Sequence, residues 1–147
     1  MRTILVTGHA GFIGSNLVRR LLREMTEGTI VGLDNLNDYY DPSLKEYRLR
    51  ELAGAKPAGI NYVSIKGSIA DRELVNRLFQ EYKFDIVVNL AAQAGVRYSI
   101  ENPDVYIESN IHIRILNTVT HTCLCGQIYH NVKLILFEQL VYQLAVS

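Results

Sequence analysis

The chain reads as α/β, a doubly wound parallel sheet. Three observations lead there. Short apolar or β-branched runs alternate with amphipathic stretches of helical period along most of the sequence. The fourth such run is apolar almost without a break, as a strand is when both faces of its sheet are covered. The first run joins the first amphipathic stretch through Gly8, Gly11 and Gly14, three glycines at spacing three.

Taken in order, residues 3–7 form the first strand. Residues 12–25 follow as a helix, with Ile13, Leu17 and Leu21 on one stripe and Val18, Leu22 and Met25 beside it. Residues 29–34 are the second strand. A polar segment over 35–42 leads into a short charged helix over about 43–52. Gly54, Pro57 and Gly59 interrupt the chain before a third strand at 61–66. Residues 71–82 read as a helix with Leu74, Leu78, Val75 and Phe79 inward, and 85–91 as the fourth strand. Pro103 suits the first turn of a long helix reaching about Thr122, and 132–137 reads as a fifth strand. Right-handed crossovers make this succession a parallel sheet. No internal repeat or low-complexity tract interrupts it.

The glycines have a chemical reading. The first allows a tight turn off the strand, the second removes a Cβ where phosphates approach, and the third lets the helix pack close. Unpaired N–H groups and the positive end of the helix dipole then face an anion. Asp34 stands twenty residues beyond Gly14, at the end of the second strand, where a carboxylate accepts both adenosine ribose hydroxyls and repels a 2′-phosphate. The pattern therefore predicts dinucleotide binding, with NAD preferred to NADP. A plain turn and a solvated acid are the alternative for an isolated glycine pattern; strand, helix and acid in register weigh against it.

At 147 residues the chain suffices for one domain with a core and is short for two. Hydrophobic residues make up 48% and charged residues 20%, with zero net charge, so no basic surface invites nucleic acid or an anionic membrane. Every apolar run is too short to span a bilayer, and the opening lacks the form of a secretory leader. The two cysteines, Cys123 and Cys125, give no disulfide framework; a cytoplasmic location is expected.

Three stretches together carry a family resemblance: TGHAGFIG at 7–14, DNLNDYYDPSLK at 34–45 and LAAQAGVRYS at 90–99. Over residues 1 to about 110 the sequence resembles the extended short-chain dehydrogenase/reductase group of NAD-dependent nucleotide-sugar epimerases and dehydratases, and within it the UDP-glucuronate 4-epimerase branch. The resemblance implies a Rossmann-type fold in which Gly8, Gly11, Phe12, Ile13 and Gly14 hold the pyrophosphate, and Asp34 and Asn35 the adenosine ribose. Ser68 and Ile69 would flank the adenine, and Leu90, Ala91 and Ala92 the inner ribose. Ser68 replaces a usual aspartate, which weakens that contact. Gln93, Arg97, Tyr98 and Ser99 would stand at the mouth of a UDP-sugar pocket, with Arg97 a bidentate partner for a glucuronate carboxylate or, equally well, a surface arginine. The implied reaction is transient oxidation at the sugar C4 and return of the hydride to the other face. It needs a tyrosine, a lysine four residues on to lower its pKa, and a serine or threonine.

That catalytic set is not recognisable. After Phe137 the family pattern continues with a serine-rich run, whereas this chain reads EQLVYQLAVS over 138–147. A Tyr-x-x-x-Lys pattern, Tyr129 to Lys133, precedes the fifth strand and so falls at the wrong place in the topology. The expectation is an incomplete dinucleotide-binding domain over 1–137 with a divergent tail over 138–147, no substrate domain, and no catalytic residue. Residues 138–142 can be encoded GAG CAG CTC GTC TAT, which shifted by one base reads as four serines. A frameshifted relative is thus a hypothesis that the gene sequence decides. Between 111 and 132 the match also decays, with Arg114 in place of a small or apolar residue.

Other constellations are weaker. His121, Cys123, Cys125 and His130 include zinc ligand types, but Cys-x-Cys lacks the usual loop spacing; no metal is expected. Tyr39 and Tyr40 serve equally as stacking or surface residues, and Asp34, Asp38 and Asp41 are too dispersed for a cation cage. Two functions remain: the NAD-binding part of an epimerase, inactive alone, or a non-catalytic dinucleotide-binding sensor or partner module. The apolar end of the chain, with Leu134, Ile135, Leu136 and Phe137, predicts self-association through an exposed sheet edge.

Overall fold

The structure is a computed structural model that describes residues 1–38 and 41–91, together with the backbone of the strand at 133–136. Five strands, β1 (Arg2–Thr7), β2 (Gly28–Asp34), β3 (Ile60–Lys66), β4 (Ile86–Asn89) and β5 (Lys133–Leu136), form one sheet. Their spatial order is β3-β2-β1-β4-β5, and every pairing is parallel. Strand order reverses at β1, so its carboxyl end borders a crevice between β2 on one side and β4 on the other.

Among the described residues, three helices cross between strands: α1 (Phe12–Glu24), α2 (Pro42–Gly54) and α3 (Arg72–Tyr82). The period-two alternation of the strands sorts the core into two layers. Ile4, Val6, Ile30, Ile60 and Val88 pack with Val18 and Leu22 of α1 and Leu52 of α2. Leu5, Val31, Leu33 and Val87 pack with Val75, Leu78 and Phe79 of α3 and with Phe84. Helices therefore cover both faces, which is why the central residues of β1, β2 and β4 are apolar on both sides, as in Ile4-Leu5-Val6, Ile30-Val31 and Ile86-Val87-Val88.

Local chemistry fixes the helix starts. Asp71 caps α3 by accepting from Leu74 N at 3.0 Å, and Asp41 caps α2 by accepting from Ser43 N at 2.9 Å, with Pro42 in the first turn. Of the three described helices, α1 alone begins on a residue without a side-chain cap, Gly11.

Several boundaries differ from expectation for identifiable reasons. In α1 the buried side is Gly14, Ser15, Val18 and Leu22, while Ile13 is 39% exposed; the glycine contact rotates the helix toward its small residues. The second helix runs on through Gly54, because the added turn lies in open space. Strand β4 stops at Asn89, since the next two backbone N–H groups bond to the Thr7 side chain. The predicted helix over 103–122 and the tail over 138–147 lie outside the described residues.

Candidate functional site

The site is built at the carboxyl ends of β1, β2 and β4. Gly8 leaves β1 with φ +68°, a left-handed conformation that favours glycine, and its N–H donates to Leu33 O at 2.8 Å. A Cβ there would lie 2.7 Å from Leu90 O, so the turn also presses on the chain leaving β4. At Gly14 a Cβ would stand 2.2 Å from Gly8 O, which explains the close helix–strand contact. Gly11 is different. Among the described residues its Cβ would meet only Gly8 O, at 3.1 Å, so none of them fills the space before it.

The first helical bond of α1 runs from Ser15 N to Gly11 O at 3.0 Å. The N–H groups of Phe12, Ile13 and Gly14 precede it and have no acceptor one turn back. Phe12 is 72% exposed and Ile13 39%, at the same end. A clear approach over Gly11, first-turn donors and the positive end of a 13-residue helix make a cradle suited to an anion.

Asp34 ends β2, buried. Its Oδ2 accepts from Ala10 N at 3.1 Å in the glycine loop, and its Oδ1 from Leu36 N at 2.9 Å. The carboxylate thus ties the loop after β1 to the turn after β2, and lone pairs on both oxygens remain for further donors. Leu36 takes φ +53° in that turn, and Asn35 Oδ1 accepts from Asn37 N at 3.1 Å. From α2, Lys45 Nζ donates to Asn37 Oδ1 at 2.7 Å and stands 3.5 Å from Asp34 Oδ1. Arg48 Nη1 donates to Ala10 O at 3.3 Å, its guanidinium 6.0 Å from the centre of the Phe12 ring. The sequence alone gives no sign of Lys45 and Arg48 as site residues, because cations in a charged helix look like a solvated face.

Beneath the loop, His9 is fully buried and lies across Gly32 of β2, where a Cβ would sit 2.3 Å from its Cδ2. Its Nε2 is 2.9 Å from Ser64 Oγ, and its ring meets Tyr62 edge to face, centroids 6.3 Å apart. Burial lowers the His9 pKa, against the opposing pull of the Asp34 carboxylate and the Leu33 backbone. Burial also pushes the Tyr62 phenol up to about 12.

The wall toward β4 is held by Thr7. Its hydroxyl donates to Asn89 Oδ1 and accepts from Leu90 N at 3.1 Å and Ala91 N at 3.2 Å. Leu90 and Ala91 are thereby fixed beside Gly8. Ser68 Oγ accepts from Ala70 N at 3.1 Å, a local turn bond, and Ile69 packs into the α3 side of the core.

The structure thus brings together Gly8, Gly11, Phe12, Ile13, Gly14, Asp34, Leu90 and Ala91, with Asn35 at the rim and Ser68 and Ile69 just beyond β3. Ala92, Gln93, Arg97, Tyr98 and Ser99 lie outside the described residues, as do Tyr129, His121, Cys123, Cys125 and His130. Lys133 opens β5 opposite Ile86, at the amino end of the sheet, away from the crevice. A second Tyr-x-x-x-Lys pattern, Tyr62 to Lys66, escaped the sequence reading. It lies along β3, where four residues of strand separate the two by roughly 13 Å. Among the described residues no three His, Cys, Asp or Glu side chains cluster as metal ligands, and no helix is long and apolar enough to cross a membrane.

The sequence pattern of the family described as GDP-mannose 4,6 dehydratase matches residues 5–135. The chain belongs to that family. It is 50% identical over 109 residues to UDP-glucuronate 4-epimerase 4 of Arabidopsis thaliana, a match covering 74% of this chain and 23% of that protein. It is 42% identical over 128 residues to Protein CapI of Staphylococcus aureus, covering 86% of this chain and 36% of the relative. The chain therefore spans only about a quarter to a third of the length of these relatives. Among solved structures, UDP-glucose-4-epimerase from Stenotrophomonas maltophila, with bound NAD and formylated UDP-arabinopyranose, superposes with a TM-score of 0.67 at 28% identity. That match covers 92% of this chain and 36% of the epimerase. The family expected from the three sequence stretches is the family found.

Proposed function

We propose that this chain is the NAD-holding part of a nucleotide-sugar 4-epimerase of the UDP-glucuronate type. The observation that carries the reading is the clear space over Gly11 at the uncapped start of α1, flanked by Asp34. A diphosphate fits that cradle, and a ribose diol fits the carboxylate. Gly8, Gly11, Phe12, Ile13 and Gly14 would hold the pyrophosphate by backbone donation and close approach. Asp34 and Asn35 would take the adenosine ribose, and Leu90 and Ala91, fixed by Thr7, would carry the inner ribose with Ala92. Ser68 and Ile69 would flank the adenine, and Gln93, Arg97, Tyr98 and Ser99 would meet the UDP-sugar. The bound dinucleotide supplies a hydride acceptor at the crevice; the residues named bind and orient it.

The same reading assigns no sugar turnover to these 147 residues alone. Support comes from the two Tyr-x-x-x-Lys patterns: one runs along β3, and Lys133 of the other sits at the amino end of β5. A cytoplasmic location and association through the β5 edge belong to this reading as well. The edge is tested by sedimentation velocity, where a strictly monomeric chain would remove it. The test of function puts NAD and UDP-glucuronate in one tube with the purified chain and follows both by proton NMR. Saturable broadening of the NAD signals with no 4-epimer is expected. Formation of the epimer would overturn the inactive assignment, and unperturbed NAD signals would overturn the binding reading.

A further inference from the structure

The ribose end of the site holds a charge pair that neither the glycine loop nor Asp34 requires. Lys45 reaches from α2 into the turn after β2, its side chain 10% exposed, and lies 3.5 Å from an Asp34 carboxylate whose side chain is 6% exposed. Its other partner, Asn37 Oδ1 at 2.7 Å, fixes the ammonium in place. One turn further along α2, Arg48 bonds to Ala10 O, and Ala10 N in turn donates to Asp34. The carboxylate is thus paired with one close cation, and at such burial solvent screens the pair little.

A carboxylate at the end of the second strand excludes a 2′-phosphate through its charge. Such exclusion requires a lone charge. Here that carboxylate is half of an ion pair with Lys45, and its net repulsion toward a phosphate is much reduced. We propose that Lys45 is a specificity-determining residue of the ribose pocket, and that the Asp34–Lys45 pair, rather than Asp34 alone, sets how far the pocket tolerates a 2′-phosphorylated ribose. The ligand class this adds is the 2′-phosphorylated adenine dinucleotide, as in NADP. The inference rests on the dinucleotide reading of the site.

Neutralising either partner pushes selectivity in opposite directions. Lys45→Met leaves the carboxylate alone and sharpens the preference for NAD. Asp34→Asn leaves the Lys45 charge uncompensated beside the ribose position and favours the phosphorylated form. Lys45 also anchors the turn through Asn37, so its loss weakens both dinucleotides. A purely structural role would weaken them by the same factor, whereas a charge role changes their ratio.

The test is calorimetric titration of NAD and of NADP into the full 147-residue chain and its variants, with far-UV circular dichroism as a fold check. The ratio of the NADP to the NAD dissociation constant is expected to rise about tenfold in Lys45→Met and to fall by about tenfold or more in Asp34→Asn. Lys45→Gln keeps a donor for Asn37 while removing the charge, and serves if the methionine variant does not fold; the same rise is expected. An unchanged ratio in the neutral Lys45 variants, with NAD still bound, overturns this inference alone. An Asp34→Asn chain that keeps its full preference for NAD overturns it too. A wild-type chain that folds and binds neither dinucleotide overturns the reading beneath it.

Discussion

His9 Nε2 and Ser64 Oγ are 2.9 Å apart, a contact that joins the glycine loop after β1 to β3 across the full width of β2. Gly32 makes it possible, because any side chain there would occupy the space of the imidazole. His9, the first of the two residues between Gly8 and Gly11, is therefore a buried wedge and not a spacer. It holds the loop from below while Gly11 leaves the space above it free.

His9 makes stability depend on pH. Burial lowers its pKa in the folded chain below the ordinary 6.5. The unfolded chain takes up the proton at about 6.5, and the folded one resists it until lower pH. The contribution is thus complete above pH 6.5 and declines as pH falls from there toward the folded pKa. Urea unfolding at pH 7.5 and 5.5 should show lower stability at 5.5. In His9→Asn that part of the slope should vanish; an identical slope in the variant would contradict it.

The glycines should separate under mutation. Gly14→Ala gains helix propensity of about 1 kcal/mol but drives a Cβ to 2.2 Å from backbone, and the clash wins, at a net cost of about 2–4 kcal/mol. Gly11→Ala needs only a small shift from Gly8 O at 3.1 Å and should cost less than about 1 kcal/mol while weakening the dinucleotide at least tenfold. Denaturant titration and a binding measurement on both variants check the contrast. Equal stability losses would refute the assigned roles.

Thr7 should behave as a hub. Thr7→Val keeps the shape but leaves the N–H groups of Leu90 and Ala91 without their side-chain acceptor and takes the donor from buried Asn89. A loss of about 1–3 kcal/mol is expected, with Thr7→Ser restoring most of it. Comparable destabilisation by serine and valine would show that packing, not the hydroxyl, matters.

Much of this was legible in the sequence because it rests on short-range chemistry. Strand alternation and the glycine spacing each act over a few residues, and Asp34 ends β2 where the pattern puts it. What escaped depends on contacts between distant elements. His9 reads as filler until β3 places Ser64 beside it. Lys45 lies in a helix whose charged residues give no clear apolar stripe, so nothing local shows that this lysine turns inward to Asp34. Of the two adjoining apolar rows of α1, the loop contact at Gly14 turns Val18 and Leu22 fully inward and leaves Leu17 and Leu21 partly buried at the edge of the core.

The central claim is that the loop over Gly11 and the carboxylate of Asp34 hold NAD. Calorimetric titration of NAD into the wild-type chain, Asp34→Ala and Gly11→Val tests it most directly. Saturable one-to-one binding to the wild type, lost in both folded variants, is the predicted result. Binding that survives both substitutions, or a folded wild-type chain that takes up no NAD, would contradict it.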